Sequence, residues 1–240
     1  MGECSLPDLN HSLIITCEHA SNRIPSRYAH HFADPDILTT HRAFDPGTSH
    51  LARLIAKRFS APCFEGEISR LLIDCNRSPN HRKLFGPYLN SAERESVFNR
   101  YYLPFRQSAQ NKITSTINNG QPVLHLSIHS FAPHLNGETR RADIGFLYDP
   151  RRHSEKTLCG HWLNELKAIN PTLQLRRNYP YRGIADGFVT ALRKIFTQEK
   201  YLGVELEINQ KLVAGINHDW QAMQKTIIAS LTTTLAKKGV

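Results

Sequence analysis

Residues 13–22 read LIITCEHASN. An apolar, β-branched run stops at Glu18-His19, small and polar residues follow, and Pro25 comes soon after. The run predicts a buried strand over Ser12–Cys17. It also raises a question, because the strand ends in an acid beside an imidazole.

Outward from this stretch, strand and helix signals interleave. Leu51, Leu54, Ile55 and Phe59 keep helical spacing from about Gly47 to Phe59. Short strands are expected at Pro62–Glu65 and Leu71–Asp74. Ser91 is positioned to cap a helix reaching about Tyr102, which Pro104 then kinks or ends. A further helical stretch runs to about Ile117 and stops at Asn118-Asn119-Gly120. Val123–Ser130 and Ile144–Tyr148 read as strands, and 154–168 as a helix with Leu158, Trp162 and Leu166 on one face. A helix from about Asp186 to Thr197, a strand over Leu202–Ile208 and a helix from about Asp219 to Lys237, with Gly239 beyond its end, complete the pattern. This alternation predicts an α/β sandwich around a mixed, mostly parallel sheet.

Bulk properties narrow the class. The chain has 240 residues, 40% hydrophobic and 21% charged, with no repeat and no linker-like stretch. One domain over 1–240 is expected. The five cysteines are scattered, without a CxxC pair, which fits a reducing cytosol better than a disulfide framework or a thiolate zinc site. The N-terminus lacks the features of a signal peptide. No apolar stretch approaches the roughly 20 residues of a membrane helix. A cytoplasmic protein without membrane partners is therefore expected. The net charge is +9. The basic residues are spread thinly, the densest groups being pairs such as Arg140-Arg141 and Arg151-Arg152, and no nucleic-acid-binding motif occurs. A solvated basic surface, or a field that draws small anionic substrates, fits better than nucleic-acid binding.

Four stretches place polar chemistry at strand ends, where ligands gather in open α/β sheets. In CEHASN (17–22), His19 suits a metal, though a turn histidine held by hydrogen bonds is the plainer reading. In LHLSIHSF (124–131), alternation puts His125, Ser127 and His129 on the face opposite Leu124, Leu126 and Ile128. His125 and His129 lie too far apart along a strand to share one ion easily. His129, at the strand end, can meet His19; a polar face covered by a helix is the alternative. In SRLLIDCNR (69–77), Arg70 and Asp74 bracket the expected strand, and Asn76 and Arg77 just past its end suit a carboxylate, or Asp74 and Arg77 simply pair across a turn. In GVELEINQ (203–210), Glu205 and Glu207 share a strand face. One could serve as general base, unless the strand is an edge with a wet face. Together they supply what metal-assisted amide hydrolysis requires.

The chain resembles the N-formylglutamate amidohydrolase family. The resemblance rests on TCEHASNRIP (16–25), HRAFDPG (41–47), SRLLIDCNRSP (69–79), LHLSIHSF (124–131), NYPY (178–181) and ELEIN (205–209). It implies the α/β/α sandwich of zinc-dependent exopeptidases, with kinship to zinc carboxypeptidases and aspartoacylase. It implies His19 and His129 as zinc ligands, Arg70 as the cation steadying an oxyanion, and Asn76 and Arg77 as the grip on a substrate carboxylate. Glu207 resembles the carboxylate that activates water, with Glu205 as the fallback. The carboxypeptidase pattern has a glutamate three residues after the first histidine, where this chain has Asn22. Asp45 in HRAFDPG is the favoured middle ligand and Glu18 the alternative. His41 and Asp74 are candidates for orienting ligands, and Tyr181 for shaping the mouth of the site. Another divalent ion could replace zinc. The implied substrate is a small anionic N-acyl amino acid such as N-formylglutamate. A related amidase or carboxypeptidase activity on the same scaffold, or a non-catalytic binding module, are the rivals.

Overall fold

The computed structural model describes residues 11–214 and 217–237. Strands β1 (Ser12–Cys17), β2 (Cys63–Glu65), β3 (Val123–Phe131), β6 (Ile144–Leu147), β7 (Leu175–Arg177) and β8 (Tyr201–Asn209) form one sheet in the order β2-β1-β3-β8-β6-β7. The first four run parallel, whereas β6 is antiparallel to β8 and carries β7 alongside. Two-residue strands β4 (His134–Leu135) and β5 (Glu138–Thr139) make a separate hairpin.

Helices cover both faces, as a central parallel sheet requires. Leu13, Ile15, Leu124, Leu126, Ile128, Val204, Leu206 and Ile208 point to one face and join a core with residues of α1 (Thr48–Phe59), α4 (His153–Ile169) and α7 (Asn217–Ala236). Ile14, Val123 and Tyr201 point to the other and pack with residues of α2 (Ser91–Val97), α3 (Leu103–Asn118) and α5 (Phe188–Arg193). A short α6 (Gln210–Val213) follows β8. The result is a three-layer α/β/α sandwich. The period-2 alternation expected of residues 123–131 is thus obeyed: Leu124, Leu126 and Ile128 enter one core, and His125 packs against Phe188 and Tyr201 of the other.

Several expected elements differ. Leu71–Asp74 is a tight turn region with a single bridge from Ile73 to Phe85, not a strand. Its apolar residues are buried all the same, so burial rather than sheet pairing explains the run. Asn90, not Ser91, caps α2, in a reciprocal capping box with Glu93. Pro104 does not end that helix. A π-turn over Phe98–Tyr102 shifts the ladder, with the Leu103 amide reaching Phe98 O, and the helix continues into α3 with Pro104 just past the widened turn, which accommodates its missing amide proton. The helix expected over 186–197 is shorter, Phe188–Arg193. Gly239 lies outside the described residues. Four of the five cysteines are described, and all four are free.

Candidate metal centre

Three parallel strands deliver their chemistry to one edge. His19 lies two residues past β1, His129 sits near the end of β3, and Glu207 near the end of β8. Asp45 enters from the turn before α1, held by its backbone N–H on His19 O. All four are buried.

Asp45 Oδ2 lies 3.2 Å from His19 Nδ1 and 2.9 Å from His129 Nδ1. One donor atom from each of the three residues falls within 4.8 Å of the others. The His19 ring is fixed from behind, because Nε2 lies 2.7 Å from Asp74 Oδ1. A carboxylate only accepts, so Nε2 carries the proton there and the Nδ1 lone pair faces Asp45. A lone pair facing a carboxylate oxygen at this distance is repulsive unless a cation lies between. Burial opposes charging His19, as does Arg70, yet Asp74 and Asp45 raise its pKa; for His129, burial is likewise outweighed by Asp45 and Glu18. Two imidazoles and one carboxylate are also a zinc donor set. The residues present fit a metal ion.

Glu18 is buried but turned elsewhere. Its oxygens accept from the Thr16 and Ser127 hydroxyls at 2.6 and 2.7 Å, and Oε2 lies 3.2 Å from His129 Nε2, on the far side of the ring from Asp45. It therefore stands outside the Nδ1 cluster, and Asn22, bonded to Leu38 O, is further removed. His125 lies deeper still, between Thr16 and Tyr201, where burial lowers its pKa to about 4 and keeps it neutral.

Glu207 and Glu205 sit beside the cluster. Burial pushes Glu207 up to about pKa 8, against the pull of His129, and its Oε2 has no hydrogen-bond partner among the described residues. Glu205 is also raised, chiefly by burial, and lies 4.0 Å from His129 Nε2. Arg70 bonds Asp74 Oδ2 at 2.7 Å and Asp45 Oδ1 at 3.4 Å. Asp74 joins His19, Arg70 and, at 3.7 Å, Arg77. It is held well below the usual carboxylate range: burial opposes ionisation, and Arg70 and His19 overcome it.

His19, Asp45, Arg70, His129, Glu205 and Glu207 line a cleft of about 310 Å³ that also takes in Asn76, Arg77, Lys83, Ser130, Leu147, Tyr181, Arg182 and Asp186. Asn76 is less free than its sequence setting suggests. Its Oδ1 accepts from Phe188 N at 2.7 Å, and its Nδ2 lies 3.3 Å from His129 Nε2. Tyr181 is half-exposed at the mouth and accepts from Arg140 Nη1. His41 lies outside the cluster and makes no side-chain hydrogen bond among the described residues. Sequence reasoning missed Lys83 and Arg182. Arg182 follows NYPY directly, whereas Lys83 sits in a turn without any signal. A larger, open cleft of about 720 Å³ around Arg151, Arg193 and Ile195 holds no comparable cluster.

The model of the N-formylglutamate amidohydrolase family matches residues 11–86 and 79–214. A gene product of Agrobacterium tumefaciens of known crystal structure has a TM-score of 0.79 and 29% identity, over 95% of this chain and 92% of that one. The N-formylglutamate amidohydrolase of Ralstonia eutropha JMP134 has a TM-score of 0.70 over 98% of this chain and 97% of that one; at 18% identity this likeness shows the fold. No curated protein matches the chain.

Proposed function

Because the chain belongs to the N-formylglutamate amidohydrolase family, we propose that it is a zinc-dependent hydrolase of N-acyl amino acids, with N-formylglutamate as the leading substrate. The observation that carries this reading is the convergence of His19 Nδ1, His129 Nδ1 and Asp45 Oδ2 beside the unpartnered oxygen of Glu207. His19, Asp45 and His129 are the proposed ligands, and Asp74 orients His19. A zinc ion bound there would polarise the amide carbonyl and acidify water.

The chain's own groups supply the rest. Glu207 takes the proton from the attacking water and returns it to the leaving amine. A base is most useful when its pKa lies near working pH, and burial moves Glu207 in that direction. Glu205 sits two residues deeper on β8 and is the weaker candidate. Arg70, kept charged by Asp74 and Asp45, faces the cleft with a quarter of its side chain exposed and steadies the developing oxyanion. Arg77 takes the substrate α-carboxylate, with Asn76 beside it. Tyr181 walls the mouth.

The direct test is turnover of a panel of N-formyl, N-acetyl and longer N-acyl amino acids by zinc-loaded protein. Release of formate from N-formylglutamate supports the reading. Preference for another member of the panel moves the substrate but keeps the chemistry, and no amide hydrolysis by zinc-loaded protein overturns it.

A further inference from the structure

Behind the Asn76–Arg77 pair lies a cation with no catalytic assignment. Arg106, on α3, is half-buried. Its Nη1 donates to Cys75 O at 3.2 Å and to Arg77 O at 3.3 Å, the two carbonyls that flank Asn76. Its guanidinium stands 4.2 Å from the centre of the Phe188 ring. Phe188 is itself the residue whose amide anchors Asn76 Oδ1. Tyr102, one turn earlier, donates its hydroxyl to Arg77 O at 2.7 Å. Among the described residues the hydrogen-bond partners of Arg106 are carbonyl oxygens, not carboxylates. An ion pair does not explain why a guanidinium occupies this place. Its shape does, because Nη1 reaches both carbonyls while the planar face of the group stacks on an aromatic ring.

We propose that Arg106 is a positioning residue for substrate recognition, holding Cys75–Arg77 in the curvature that presents Arg77 to the substrate carboxylate. The proposal rests on the reading of Arg77 given above. Arg106 touches neither the metal ligands nor Glu207, so its loss acts on binding rather than on the chemical step.

The test measures kcat, KM and zinc content for wild type and for Arg77→Ala, Arg106→Met, Arg106→Lys and Tyr102→Phe, with N-formylglutamate. Arg106→Met keeps bulk over Phe188 and removes the Nη1 donor to both carbonyls. It should raise KM about tenfold, with kcat within about twofold and zinc unchanged, as expected for a misplaced binding group. Arg106→Lys, which keeps a cationic donor but loses the planar face over Phe188, should fall between wild type and Arg106→Met. A merely structural role would lower the active fraction, and so kcat, and leave KM alone; that result overturns the proposal. If Arg106→Met does not fold, Arg106→Lys and Tyr102→Phe decide, and an unchanged KM in both overturns it. Arg77→Ala should raise KM at least as much as Arg106→Met. If it does not, the carboxylate reading of Arg77 is at fault and the proposal falls with it. If it does while the Arg106 variants bind normally, only the role of Arg106 is refuted.

Discussion

Glu207 and His129 are lateral neighbours, paired in register across the parallel strands β8 and β3. Paired residues on adjacent strands share a face of the sheet. A proposed base and a proposed metal ligand are thereby fixed relative to each other by backbone hydrogen bonds rather than by a loop. The same ladder sets Glu205 beside Ser127, two residues deeper.

Replacing Glu207 by Gln separates function from stability. In the metal-free fold Glu207 stays protonated up to about pH 8, whereas the unfolded chain loses that proton near the ordinary glutamate value of 4.5. Between these values the folded state binds more protons, so stability falls as pH rises. Gln has no such proton to lose. Urea melts of metal-free Glu207→Gln should show a gain of about 2–4 kcal/mol over wild type at pH 8, shrinking to nothing by about pH 4. Turnover should drop by at least about 100-fold while zinc is kept. An undiminished rate would remove Glu207 as the base.

Asp74→Asn tests the support behind His19. The amide can donate to His19 Nε2, which pushes the imidazole proton towards Nδ1, the atom that faces Asp45. Arg70 loses a charged partner at the same time. Zinc affinity, measured by competition with a chelator, should weaken by about 10–100-fold. Unchanged affinity would mean that Asp74 does not orient the ligand.

The fold was legible where hydrophobic patterning is strong. β1, β3 and β8 are apolar at every second position or throughout, and their polar exceptions, His129 and Glu207 above all, are the residues at the candidate site. Leu71–Ile73 misled because an apolar run buries equally well in a turn. Pro104 misled because a π-turn after seven residues of helix is a tertiary accommodation, invisible to local rules. Asp45 and Glu18 stayed open as the middle ligand because only the packing of β1 against the turn before α1 sets Asp45 against both imidazole Nδ1 atoms and turns Glu18 towards Thr16 and Ser127. The tie between Asn76 and Phe188 spans 112 positions and leaves no local trace.

Gly145 is another residue that sequence reasoning passed over. A Cβ there would come within 1.8 Å of Tyr179 O and 3.5 Å of Glu207 Cβ. The first clash is with backbone, so the segment that leads to Tyr181 must move. Gly145→Ala should cost about 1–3 kcal/mol in urea melts and raise KM, since Tyr181 lines the cleft mouth. Wild-type stability in this variant would show that the segment yields freely.

The most direct measurement is zinc per chain, by elemental analysis, in wild type, His129→Ala and Asp45→Asn purified alike. One zinc in the wild type and almost none in either variant is expected if His19, Asp45 and His129 hold the metal. A wild type that takes up no zinc when it is supplied, or a His129→Ala protein that keeps a full equivalent, would contradict the site.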